Sequence, residues 1–168
     1  RKPVAVWRGT STGAVYNETN WRQQTRTKLV WLCRNHTHLC DAQFVGLVQT
    51  TPGAHAAMMA EFGPLAPWMP MREYAAHKYV LSVDGNSAAS QRMLALLFSG
   101  SVLVKQASPS VELFYAGLQP YVHYMPVAPD LSDLPQVLAW LRAHDAEAQA
   151  MAGRMHSWAL AHVTEAAV

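Results

Sequence analysis

Two short stretches of this chain combine small residues, hydroxyls and a fixed cation. One is Arg8-Gly9-Thr10-Ser11-Thr12-Gly13, the other Asp84-Gly85-Asn86-Ser87-Ala88-Ala89-Ser90-Gln91-Arg92. Small side chains let a ligand approach the backbone closely, and free N–H groups at a helix start attract phosphate. Ser87 and Ser90 offer hydroxyls, and Arg92 offers a charge with bidentate geometry. The same bend also fits an ordinary capped helix with a surface arginine, and it lacks the Lys-Ser/Thr ending of a P-loop. Each stretch follows an apolar run that reads as a strand, and two such loops at one sheet edge say more than either alone. Lys105 closes a third such run. Glu112 opens a following helix, where a carboxylate either accepts two hydroxyls of a ribose or hexose or simply favours its own helix N-terminus.

Other chemistry finds less support. His123 on an apolar strand reads as a satisfied core histidine before a catalyst, so a hydrolase or phosphatase using Asp84 and His123 is a weak alternative. No G-x-S-x-G elbow accompanies it. Cys33 and Cys40 flank His36 and His38, but the spacing matches no closed zinc pattern. Two free thiols, or a local disulfide in an oxidising compartment, are the other readings.

The elements that must hold these residues follow from periodicity and punctuation. Short apolar runs at residues 4–7, 29–32, 79–83, 102–104 and 122–127 read as strands of a covered sheet. Helices are expected at 21–28, 54–62, 87–98 with Ser87 as N-cap and Gly100 past its end, around 112–116, after Asp133 with Leu134, Val137, Leu138 and Leu141 on one face, and from Asp145. Met58, Met59, Trp68, Met69 and Met71 read as irregular core filling. The pattern implies an α/β parallel sheet with helices on both faces, whose ligands bind beyond the carboxyl ends of the strands.

Composition narrows the class. The 168 residues suit one domain with a real core. Hydrophobic residues at 51% and charged ones at 14% exclude intrinsic disorder and a coiled coil. A net charge of +2 without any basic stripe argues against nucleic-acid binding. No window approaches the roughly 18 apolar residues that a bilayer-spanning helix needs. The chain opens on Arg1 rather than Met, without a leader pattern, which suggests a piece of something longer.

Several blocks, in order, resemble one glycosyltransferase family, that of the capsule-associated fungal transferases and the Rumi-type animal protein O-glucosyltransferases (family 90). They are Trp7-Arg8-Gly9-Thr10-Ser11-Thr12-Gly13 with Trp21, Arg26 and Asp41; His77 to Ser87 with Ser90 and Arg92; Ser99-Gly100-Ser101-Val102-Leu103-Val104-Lys105-Gln106; Glu112-Leu113-Phe114-Tyr115; and Leu118 to Val127 with Asp130-Leu131-Ser132-Asp133-Leu134. The likeness spans about Val4 to Val163 and is poor between Thr50 and Met71.

The resemblance implies a Rossmann-like lobe, residues 1–168, forming the C-terminal, donor-binding half of a GT-B glycosyltransferase. It implies a UDP-sugar donor (glucose or xylose), inversion at the anomeric carbon, no metal ion or other cofactor, and a protein or glycan acceptor. The implied location is the secretory-pathway lumen, in the endoplasmic reticulum or Golgi, with membrane contact only through an N-terminal anchor outside this chain. Carried over by position, Arg8, Gly9 and Thr10 approach the donor; Ser87, Ser90 and Arg92 hold the diphosphate; Asp84 and Gly85 shape the turn; Lys105 and Glu112 join the donor pocket. The general base is expected in an N-terminal lobe that this chain lacks. A non-catalytic nucleotide-sugar-binding module is the alternative. Gln91 and Ala88-Ala89 depart from common family residues, so the donor sugar is not fixed. The C-terminal Thr164-Glu165-Ala166-Ala167-Val168 is no retrieval signal.

Overall fold

The computed structural model describes residues 1–88 and 90–163. Strands β1 (Lys2–Thr10), β2 (Cys40–Gly46), β3 (His77–Ser82), β4 (Val102–Gln106) and β5 (Met125–Val127) form one all-parallel sheet. Their order is β2-β1-β3-β4-β5. Helices α1 (Thr25–Asn35), α2 (Pro52–Phe62), α3 (Met71–Tyr74), α4 (Ser90–Leu97), α5 (Leu134–Ala143) and α6 (Asp145–His162) connect and follow them.

Alternation along the strands builds two cores. Ala5, Trp7, Tyr79, Leu81, Val102 and Val104 pack with Leu29, Val30, Leu138 and Leu141 on one face. Val6, Val80 and Leu103 pack with Met93, Leu96 and Leu97 on the other. Thus α1 and α5 cover one face and α4 the opposite one. Helix α6 serves both, with Ala148 and Met151 in the first core and Met155 and Ala159 in the second. Two covered faces explain why the central strands read as unbroken apolar runs.

The order also makes a crevice. From β1 the chain crosses to one neighbour, and from β3 to a neighbour on the other side, with α1 and α4 on opposite faces. Connections that diverge in this way open a gap beyond the carboxyl ends of β1 and β3, where open α/β sheets bind ligands.

Several sequence expectations need correction. Residues 29–32 are not a strand but the middle of α1, where Leu29, Val30 and Cys33 are buried at helical spacing. The strand of that region is β2, whose buried Cys40, Ala42 and Phe44 alternate with more exposed neighbours. Residues 21–23 form a separate 3-10 turn before α1. Helix α4 starts at Ser90 rather than Ser87, which places Ser87 in the preceding bend, where its hydroxyl donates to the Ala88 carbonyl. Strand β5 keeps only three residues, because Tyr121 sits at φ 64° and turns the chain; His123 lies on that turn. Asp133 precedes α5, but its carboxylate accepts from the Ala128 amide instead of capping. Met58 is core, whereas Trp68 is 76% exposed. Helix α2 starts two residues earlier than expected, with Thr51, whose hydroxyl accepts the Ala54 N–H, as its cap and Pro52 at its first position. Gly100 at φ +66° sits in the left-handed region, as expected past a helix end. Cys33 and Cys40 form a disulfide joining the end of α1 to the start of β2, which removes both sulfurs from the zinc and free-thiol readings.

Candidate functional site

The two loops singled out by sequence meet at the crevice. The Gly13 amide, at φ +109°, donates to Asn86 Oδ1 at 3.0 Å, and a Cβ on Gly13 would sit 3.3 Å from the Gly85 carbonyl oxygen. Arg92 reaches back from α4, and its Nη1 donates to the Arg8 carbonyl at 2.7 Å. Burial pushes the Arg92 guanidinium below its ordinary pKa, against the pull of Tyr74. The Tyr74 hydroxyl also donates to the Arg8 carbonyl, at 3.3 Å.

Arg8 itself points the other way along β1. Its Nη1 and Nη2 form a forked pair with Asp41 Oδ1 and Oδ2 at 3.0 and 2.6 Å, and Nη1 also donates to the Trp7 and Asp41 carbonyls. Burial would raise the Asp41 carboxyl, but hydrogen bonds from Arg8 and Gln43 carry it below its ordinary value. The Arg8 contribution to the crevice is therefore its backbone, while its side chain ties β1 to β2. Gly9 is required by packing: a Cβ there would lie 2.4 Å from Trp7 Cζ2. Thr10 presents its carbonyl, which takes a hydrogen bond from Arg26 Nη1 at 2.8 Å.

Across the crevice, the Asp84 amide donates to Gln106 Oε1, while both Asp84 carboxylate oxygens are buried and take no hydrogen bond among the described residues. The same holds for Trp7 Nε1, Arg92 Nε and the Tyr115 hydroxyl. Buried polar atoms are nearly always partnered, so these groups have hydrogen-bonding capacity left over for water or a ligand. Gly85 has no room for a side chain, since a Cβ would stand 2.5 Å from Thr12 Oγ1 and 2.6 Å from Arg26 Nη2. Gly85→Ala should cost about 1–3 kcal/mol, as overpacking does, read as a lowered midpoint in urea unfolding; an unchanged midpoint would mean that the loops separate freely.

Lys105 is the penultimate residue of β4, nearly buried, with Nζ donating to the Gln106 carbonyl and lying 4.7 Å from the Tyr115 ring centroid. Burial pushes its pKa down, against the field of Asp84. Tyr115 is pushed up by burial and by the charges of Asp84 and Glu112. A cleft of about 200 Å³ opens there between Lys105, Ser108, Ser110, Tyr115 and Tyr124. Glu112 flanks it at the start of the 3-10 turn at Leu113–Gly117 and makes no capping bond. The Ser90 backbone begins α4, directly after the bend, while the Ser90 hydroxyl expected to hold the diphosphate lies outside the described residues. Larger cavities of about 420 and 460 Å³ lie elsewhere, beside Arg34 and Phe62 and beside Lys78 and His156. His123 is engaged by its own loop, its Nδ1 accepting the Gln119 amide, and burial lowers its pKa. It makes no hydrogen bond to Asp84, so the hydrolase pairing has no support.

Sequence reasoning gave no role to Arg26, Asn86 or Tyr115 in this crevice. Asn86 had a local signal, as a turn residue between glycine and serine. Arg26 had only its place in the first family block, which named no role for it, because its partners are backbone carbonyls far away in sequence.

The doubly wound sheet, with two small-residue loops and an arginine at its switch point, has the architecture of a GT-B glycosyltransferase lobe. The pneumococcal O-GlcNAc transferase GtfA, solved in complex with UDP and GlcNAc, superposes with a TM-score of 0.52 over 96% of this chain and 33% of its own, at 12% identity. The profile of glycosyl transferase family 90 matches residues 1–168, and the chain belongs to that family. It is 34% identical to protein O-glucosyltransferase 2 of Danio rerio over 90% of this chain, and 33% identical to protein O-glucosyltransferase 1 of Rattus norvegicus over 82%. It spans about a third of their lengths, 31% and 34% respectively.

Proposed function

We propose that this chain is the donor-binding lobe of a two-lobed, inverting transferase that takes glucose or xylose from a UDP-sugar, without a metal ion, to an acceptor hydroxyl. The observation that carries this reading is the convergence of the loop after β1, the bend after β3 and Arg92 on one crevice in a family 90 chain. The names of the relatives favour a glucosyl donor and a protein acceptor.

The physical logic is direct. As the acceptor hydroxyl attacks the anomeric carbon, UDP leaves from the opposite face and negative charge grows on its diphosphate. Arg92, Ser87 and the backbone N–H groups opening α4 hold that charge better in the transition state than in the ground state, which is what accelerates transfer. To Lys105, which lines the cleft, and to Asp84 and Glu112, whose charges act on Tyr115 there, we assign the ribose or hexose hydroxyls, with an ammonium as donor and a carboxylate as acceptor. Deprotonating the acceptor needs a general base. We assign it to an acceptor lobe outside this chain rather than to Asp84 or Glu112. The Cys33–Cys40 disulfide fits an oxidising, lumenal compartment. Among the described residues no helix is long and apolar enough to cross a membrane.

Titration calorimetry with UDP, UDP-glucose and UDP-xylose tests the reading. The chain alone is expected to bind UDP and to transfer nothing, and activity is expected once it is joined to an acceptor lobe carrying a suitable carboxylate. Absence of UDP binding would remove the donor-site reading. Transfer by the isolated chain would overturn the two-lobe account.

A further inference from the structure

We propose that Arg26 is a positioning residue that holds the loop after β1 and the bend after β3 at a fixed separation, so that the anion cradle is assembled before a ligand arrives. Arg26 is the second residue of α1 and only 6% exposed. Its guanidinium lies 5.5 Å from the Trp7 ring centroid. From there it donates three hydrogen bonds, Nη1 to the Thr10 carbonyl at 2.8 Å, Nε to the Asp84 carbonyl at 3.0 Å and Nη2 to the Val83 carbonyl at 3.1 Å. One acceptor belongs to the β1 side of the crevice and two to the β3 side. A rigid planar fork spreads its donors towards three diverging carbonyls, whereas an ammonium concentrates its donors on one atom at the end of a flexible stem.

The charge is held at a cost, which argues for a purpose beyond packing. Burial and the nearby Arg92 bring the Arg26 pKa down to about 10, and no carboxylate forms a salt bridge with it among the described residues. Backbone carbonyls are thus its compensating partners. Three of its five N–H donors are spent on these carbonyls, so Arg26 supports the site through the loops it holds. Gly85 completes the arrangement, since any larger residue would collide with Arg26 Nη2.

The functional consequence rests on the UDP reading above, so the test has two arms. Arg26→Lys keeps the charge and removes the fork, and Arg34→Ala on the same helix is the control, because the polar and ring partners of Arg34, the Glu61 carbonyl and the Phe62 ring, lie away from the crevice. The first arm is amide hydrogen exchange without ligand, read at Gly13 and Gly85 and compared with amides of β4. In Arg26→Lys the two glycine amides should exchange at least tenfold faster while β4 is unchanged; equal rates would overturn the clasp. The second arm is UDP calorimetry, where Arg26→Lys should weaken binding at least tenfold and Arg34→Ala should not. Faster exchange with unchanged UDP affinity would overturn the positioning role. If the unsubstituted chain binds no UDP, the donor-site reading falls, and the exchange arm alone decides whether the clasp exists. Should Arg26→Lys fail to fold cooperatively, Arg26→Gln, which keeps a planar amide donor, carries the same two measurements.

Discussion

Arg92→Ala is expected to raise the dissociation constant for UDP at least tenfold while the protein stays folded. A hydrogen bond to a charged group contributes about 1.5–3 kcal/mol, which corresponds to roughly ten- to a hundredfold in affinity. Arg92 has the features of such a donor. Its Nη1 is anchored on the Arg8 carbonyl, and its Nε is buried without a partner among the described residues. The fold should survive, because α4 is held by Met93, Leu96 and Leu97, all fully buried against the sheet. Calorimetry with UDP, paired with a thermal melt, separates the two effects. An unchanged dissociation constant would take Arg92 out of the site, and a lost transition would show that it is a structural strut.

Removing the Cys33–Cys40 bridge should be the most damaging single covalent change. Loop-closure entropy for so short a loop amounts to roughly 2–3 kcal/mol, and in a chain of 168 residues each kcal/mol moves the melting midpoint by about 2–4 °C. The double substitution Cys33→Ala with Cys40→Ala should therefore melt roughly 5–10 °C lower, and reductant should lower the midpoint of the parent protein alone. Equal midpoints with and without the bridge would mean that α1 and β2 are held by packing only. Cys40 immediately precedes Asp41, the partner of Arg8, so loss of the bridge also loosens the strand that pairs with β1.

The parts of the fold that could be read in the sequence are those whose signals are local. Strands β1, β3 and β4 are apolar runs closed by turn residues, and α5 and α6 repeat buried residues at helical spacing. The run at 29–32 misleads because four consecutive apolar residues look the same in a buried strand and in an α1 whose Trp31 and Leu32 are themselves half-buried. Strand β2 escapes notice because Asp41 and Gln43 interrupt it, their place being set by the Arg8 pair rather than by hydrophobicity. The crevice is legible to the same degree. The bend after β3 and Arg92 are adjacent in sequence, so the anion cradle shows as a motif. Arg26 binds carbonyls 16, 57 and 58 residues away, and nothing in a linear pattern announces a contact made to backbone.

The arrangement of the outer strands has a consequence for how the protein behaves in crowded solution. An open parallel sheet exposes unpaired backbone along both margins, and such margins invite copies to stack edge to edge into aggregates. Here β5 is only three residues long, too short a template for that stacking. The β2 margin is partly occupied, since the Ala66 amide donates to the Phe44 carbonyl, and the disulfide pins the strand where it begins. The sheet is thereby guarded against self-association at both borders without closing into a barrel.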